Sequence, residues 1–167
     1  MTERAGSFLV GIPGRRLVLF DLAATVVFVT SATWAVVVFE GVAKVQGVVT
    51  SLALFAGGIA TFLWGYWTAV QRSRTTEMSV AELYFLLGPA VPRQVKWWMN
   101  GALIVQTLVA VITAVLRPST PAADGGSTAG STLAFGVLVP VLGLGLNGLW
   151  AASHGAFGPR RRADSTS

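Results

Sequence analysis

The sequence predicts an all-α membrane protein, a four-transmembrane-helix bundle with a short cytoplasmic interfacial helix between spans 2 and 3. Four apolar stretches, at about 17–39, 48–70, 99–116 and 132–152, each have the roughly 18 to 23 residues a helix needs to cross about 30 Å of hydrocarbon. The chain is 167 residues long, 53% hydrophobic and 11% charged, which leaves no room for a separate soluble domain. Ten of the twelve Lys and Arg residues fall on one side of the resulting zigzag: Arg4, Arg15 and Arg16 in the head, Arg72, Arg74, Arg93 and Lys96 in the middle loop, Arg160, Arg161 and Arg162 in the tail. Only Lys44 and Arg117 lie opposite. Because short basic loops are retained in the cytoplasm, both termini are expected there.

Three parts follow: an N-terminal arm over 1–16, a single membrane domain over 17–152 and a basic tail over 153–167. The arm contains Gly6, Gly11, Pro13 and Gly14, which deny the apolar patch Phe8–Val10 a regular helix. Arg15-Arg16 before an apolar run has the look of an export leader, but the run is too long and leads directly into another span, so it reads as a retained anchor. Glu40 to Gly47 reads as a tight hairpin, with Glu40 and Lys44 four apart in the favourable order.

In the middle loop, Ser79-Val80-Ala81-Glu82 fits a capping box ahead of Leu83–Leu87, with Gly88-Pro89 and Pro92 as the stop. Its apolar side is expected to lie in the headgroup layer. Lys96, Trp97 and Trp98 then mark the interface where the third span begins. Pro118–Ser131, rich in proline, glycine and hydroxyl residues, reads as a flexible outer loop. The tail begins with three arginines and ends in small polar residues, a disordered segment held near the inner leaflet.

Ala53, Gly57, Thr61 and Gly65 recur every four residues and predict a helix-packing ridge on the second span. On the fourth span Gly136, Pro140, Gly143, Asn147, Ala151 and His154 define a small and polar face directed inward, with Val137, Leu138, Leu142 and Leu149 pointing elsewhere. Pro140 is expected to kink that span, leaving the carbonyl near Gly136 without its helical donor. Gln106, Thr107 and Thr113 are expected to bond across helices.

Asp21 is the one acidic residue inside a predicted span and is a candidate site by default, although at its depth it could pair with Arg15, Arg16 or a middle-loop arginine. Asp21, Gln106, Asn147 and His154 form the candidate polar set; Gly57, Thr61, Gly65 and Gly143 form the candidate packing set. His154, the only histidine, is expected to meet the helix dipole or cap carbonyls, with Gly155 as the stop.

The formal charge of +5 and the pI near 10.8 read as topology and attraction to anionic headgroups, so the expected partners are the lipid bilayer and another membrane protein or a second copy, with no nucleic acid. No cysteine occurs, which excludes disulfides and thiolate chemistry. No phosphate-cradling loop, paired intramembrane carboxylates or serine with a base is present, so no enzyme activity, cofactor or metal is expected.

Phe135-Gly136-Val137-Leu138-Val139-Pro140, then Gly143–Trp150 and His154-Gly155-Ala156-Phe157-Gly158-Pro159-Arg160, resemble the C-terminal end of small uncharacterised four-span integral membrane proteins of actinobacteria. Ala81–Gly88 resembles theirs as well. The resemblance implies a bacterial plasma membrane and carries no catalytic residue. The functional expectation is a non-enzymatic accessory or scaffold subunit; the alternative is a small oligomeric transporter or channel using Asp21 and the polar face of span 4.

Overall fold

The computed structural model describes residues 11–38, 40–116, 119–121, 127–129 and 132–159. Residues 1–10 of the expected 1–16 arm, Arg117 and the arginine-rich end over 160–167 lie outside the described residues. The elements are α1 (Arg15–Val38), α2 (Gly41–Arg72), α3 (Val80–Tyr84), α4 (Arg93–Leu116), β1 (Ser119–Pro121), β2 (Ser127–Ala129), a 3-10 segment (Thr132–Leu138) and α5 (Pro140–His154). Four helical stretches are long and apolar enough to cross a membrane, with mean hydropathies of 1.8, 1.7, 2.0 and 1.8. The protein is a multi-pass membrane protein built as an all-α four-helix bundle.

The helices extend beyond the apolar runs. α2 has 32 residues, a rise of about 48 Å against about 30 Å of hydrocarbon, so it overhangs or tilts. The expected hairpin over 40–47 is therefore mostly helix. Its Val, Ala, Lys and Gln residues are helix-compatible and contain no proline, so the backbone continues back to Gly41. Gly47 is a contact point and not a turn: a Cβ there would stand 3.1 Å from the Ala35 methyl on α1. α4 likewise begins at Arg93, directly after Pro92, which puts Lys96, Trp97 and Trp98 inside its first turns.

The capping box forms as expected: Glu82 N donates to Ser79 Oγ at 3.1 Å, and Ser79 N donates to Glu82 Oε2 at 3.2 Å. The helix ends at Tyr84, before the expected Leu87. Leu86 takes a left-handed backbone, φ 53°, a conformation that costs a non-glycine residue about 1–2 kcal/mol, offset here by complete burial of its side chain. Leu83, Tyr84 and Leu86 are buried, so α3 does not present its whole apolar side to headgroups but closes the end of the bundle against α5. The outer loop between spans 3 and 4 contains a short antiparallel ladder, Ser119 to Pro121 paired with Ala129 to Ser127.

Pro140 does not kink a continuous helix. It occupies the first turn of α5, where its missing donor is no loss. The preceding turns are 3-10, and Val139 N donates to Gly136 O at 3.0 Å, supplying the carbonyl expected to be left free. α5 is the centre of the bundle, packed against α2, α3 and α4. Both its faces are consequently inside, and Leu142, expected to point away, is fully buried with Leu146 and Trp150. They join Val18, Val95 and Met99 in a core at the basic end, while Phe28, Ala32, Ala110 and Val139 form a smaller one toward the α1–α2 hairpin.

The α2–α5 seam differs in register from the expected ridge. A strict four-residue step drifts about 40° per step around a helix of 3.6 residues per turn, so Ala53 is exposed and Gly57 only half-buried. The buried line runs Ser51, Gly58, Gly65 and Ala69. A Cβ on Gly58 would stand 2.6 Å from Leu142 N, and one on Gly65 2.7 Å from Leu149 N, so backbone meets backbone. From the other side a Cβ on Gly145 would stand 2.6 Å from Gly58 O and 2.5 Å from Thr61 Oγ1. Thr61, which bonds Gly57 O and Gly58 O of its own helix, thus fills the notch opposite Gly145.

Gly58→Ala is expected to lower stability in detergent by about 1–3 kcal/mol through overpacking, while Gly57→Ala, with only Leu142 Cδ1 at 3.8 Å, leaves it unchanged or slightly raised. Thermal unfolding followed by circular dichroism distinguishes the two, and equal behaviour would contradict this register.

Candidate functional site

Asp21, Thr25 and Gln106 form one buried polar cluster and Asn147 and Asn100 a second, near successive turns of α5. The first joins α1, α4 and α5. Asp21 and Gln106 are both 0% exposed. Gln106 Nε2 donates to Asp21 Oδ1 at 3.2 Å and to Thr25 Oγ1 at 2.7 Å, and the Thr25 hydroxyl donates to Asp21 O at 2.8 Å. Gly143 makes the space: a Cβ there would stand 2.8 Å from Gln106 Oε1. The expected arginine partner of Asp21 is thus replaced by an amide from α4. The helix geometry explains this, because Asp21 faces the bundle interior while Arg15 and Arg16 are exposed at the helix start. Asp21 Oδ2 and Gln106 Oε1 make no hydrogen bond.

The second cluster lies one helical turn along α5, about 6 Å by rise from Gly143. Asn147 Nδ2 donates to Tyr84 O at 3.0 Å and to Asn100 Oδ1 at 3.1 Å. Asn100 Nδ2 in turn donates to Phe85 O at 2.9 Å, so α5, α4 and the end of α3 are tied in sequence. Tyr84 stacks on Phe62 of α2 with ring centroids 4.5 Å apart. Burial, with a smaller contribution from the Tyr66 phenol, pushes the Tyr84 hydroxyl above its ordinary value and keeps it neutral. The neutral-state preference persists below the ordinary phenol range and is lost only as pH rises through the raised value.

His154 belongs to neither cluster. It is exposed at the end of α5, with its ring 5.7 Å from that of Trp150. The capping expected of it is performed by Arg72, whose Nη1 donates to Ala152 O at 2.6 Å and Nη2 to Gly155 O at 3.1 Å. A fixed cation at the negative end of a helix dipole is electrostatically favoured. Gly155 does not adopt a left-handed stop, having φ −63°. A Cβ there would instead stand 2.6 Å from Ala151 O. Trp150 Nε1 donates to Pro13 O at 2.9 Å, pinning the residues ahead of α1. Glu77 N to Gly158 O, 3.1 Å, and Ala156 N to Ala90 O, 2.9 Å, secure the residues after α5.

Asp21, Gln106 and Gly143 are therefore brought together, Asn147 stands apart, and His154 is at the surface. Thr107 and Thr113 bond carbonyls of their own helix and do not bridge. Thr25, Asn100, Tyr84 and Arg72 were not singled out from the sequence. Thr25 could have been, since it lies four residues after Asp21 on the same helical face. Among the described residues no group of three His, Asp or Glu side chains could hold a metal ion. No family model, curated protein or solved structure matches the chain.

The two substitutions at the first cluster separate its members. Gln106→Leu removes the donor to a buried carboxyl and is expected to cost about 1–3 kcal/mol. Asp21→Asn retains an acceptor and adds a donor where Oδ2 has no partner, so its effect is expected to stay within about 1 kcal/mol. Unfolding titrated with SDS measures both, and a larger loss for Asp21→Asn would contradict the arrangement.

Proposed function

We propose that this chain is a non-enzymatic accessory or scaffold subunit of a membrane complex, seated in a bacterial plasma membrane with both termini cytoplasmic. The observation that carries the reading is the unpacked flank of α2. Leu63, Trp64, Tyr66 and Trp67 are 59%, 70%, 56% and 66% exposed, while Gly65 among them forms the seam with α5. Only 17% of the most apolar window of this span is buried, against 56% for the fourth. Trp and Tyr are the residue types that most often anchor protein contacts, each offering about 150–250 Å². Gly58 and Gly65 of α2 are already used within the chain, and the aromatic flank is the surface offered to another membrane protein or a second copy. Engagement of Asn147 with Asn100, and of Gln106 with Asp21 and Thr25, also favours a structural role for the interior.

The orientation rests on charge. Arg15, Arg16, Arg72, Arg74, Arg93 and Lys96 share one end of the bundle and Lys44 the other, the asymmetry expected when the basic end faces the cytoplasm. The bacterial setting rests on the resemblance of the C-terminal third to actinobacterial membrane proteins.

Affinity purification from native membranes in mild detergent is expected to recover a stoichiometric partner, lost in the W64A/W67A double variant without loss of expression. Recovery as a lone monomer in every mild detergent would reject the reading. A second reading, a small oligomeric transporter or channel, is favoured by one feature: Asp21 Oδ2 and Gln106 Oε1 are buried without partners. An intramembrane carboxyl in that state is a candidate for proton or cation handling. It predicts loss of proton or monovalent-cation flux in proteoliposomes on Asp21→Asn with normal expression, and unchanged flux counts against it.

A further inference from the structure

One face of α4 carries a hollow that changes character along its length. At the end near the α3–α4 loop a cavity of about 390 Å³ is lined by Arg93, Lys96, Trp97, Asn100, Gly101 and Ile104. Asn100 and Ile104 also line a second cavity of about 430 Å³, which continues past Leu87, Leu103 and Leu108. Sharing Asn100 and Ile104, the two adjoin along the helix and are treated together as one groove. Its spine, Arg93, Trp97, Asn100, Ile104 and Leu108, repeats at gaps of four, three, four and four, so a single helical face supplies it. Gly101 leaves open space beside that spine, since a Cβ there would meet nothing within 4 Å.

The upper end is built for an anion. Arg93 is exposed and offers a planar fork of donors suited to a phosphate. Lys96 gives one of its three hydrogens to Gly88 O, leaving two. The indole of Trp97 is 80% exposed beside them. Both cations stand in the first turn of a 24-residue helix, whose dipole adds positive potential. Among the described residues no carboxylate lines either cavity.

The lower end is built for hydrocarbon. Leu87, Ile104 and Leu108 are 52%, 57% and 55% exposed, and the one hydroxyl there, on Thr107, already donates to Leu103 O at 2.8 Å. From Arg93 to Leu108 the helix rises about 22 Å, which covers a headgroup and one leaflet of about 15 Å. A free phosphate would fill only the upper cavity and leave the apolar one empty.

We propose that this face of α4 binds one anionic phospholipid, with its phosphate at Arg93 and Lys96 and an acyl chain along Leu87, Ile104 and Leu108. The site is independent of whether the chain acts as a scaffold or a transporter. A further basic hollow, on α1 and lined by Gly14, Arg15, Arg16, Leu17, Leu19 and His154, serves as the comparison site on another helix.

The test is native mass spectrometry of the full-length chain released from detergent after mixing with equal amounts of phosphatidylglycerol and phosphatidylcholine of identical acyl chains. Phosphatidylglycerol adducts are expected to dominate, to fall about tenfold in R93Q/K96Q through loss of charge-assisted hydrogen bonds, and to persist in R15Q/R16Q. L108W keeps both cations but fills the lower groove, and it is expected to lose the adduct with an unchanged thermal midpoint. Glycerol 3-phosphate should not displace the lipid. Equal retention of the two lipids, equal losses in the two arginine-directed variants, displacement by glycerol 3-phosphate, or full retention by L108W would each overturn the proposal. L108W decides the matter alone if R93Q/K96Q does not fold.

Discussion

The bundle depends on direct backbone contact between α2 and α5. Between helices in lipid there is little hydrophobic driving force, because a leucine side chain and a lipid tail are equally apolar, so association comes from close packing and polar contacts. Gly58, Gly65 and Gly145 allow the two backbones to approach until a single added carbon would collide with main-chain atoms. Dispersion energy falls steeply with separation, so that proximity, more than side-chain size, sets the strength of the seam. With α2 fixed on one side of α5, α4 and α3 occupy the others, and α5 becomes the enclosed centre.

That enclosure explains the polar interior. Asn147, facing α4 and α3 at once, can reach both Asn100 and the Tyr84 carbonyl only because α5 is surrounded. Gln106 reaches Asp21 and Thr25 because Gly143 has no side chain in the way. Each such bond contributes about 1 kcal/mol or less, but an unpaired polar group in the same place is costlier. The arrangement therefore acts on specificity of assembly, fixing how α1, α4 and α5 rotate relative to one another. Asp21 exceeds that role: an uncharged amide would meet Gln106 with fewer unpartnered atoms, and the carboxyl at this position is the feature a purely structural account leaves over.

At the basic end the same logic extends beyond the helices. Arg72 closes the last carbonyls of α5, Trp150 holds Pro13, and short backbone contacts bind the residues after α5 to those around Thr76 and Ala90. The loop between α2 and α4 is thereby an ordered cap on the bundle. Its ordered position is also what holds Leu87 beside α4 and gives the groove there a wall.

The four apolar runs, their lengths, the charge asymmetry and the Ser79–Glu82 cap were legible in the sequence, because each depends on local composition or on residues a few positions apart. Span length follows from the thickness of hydrocarbon, and a capping box needs only four consecutive residues. Asp21, Gln106 and Gly143 could also be picked out as candidates, since polar and small residues are rare enough in apolar helices to stand out. Their partners were not. Whether Asp21 meets Arg15 or Gln106, whether Gly57 or Gly58 lies on the seam, and whether Pro140 bends a helix or begins one depend on the rotation of each helix about its axis. Leu142 and Leu149 show the same limit: leucine is equally at home against lipid and against protein, so hydrophobicity carries no directional information in a membrane, and only packing against α2 and α4 determined which faces of α5 were inside.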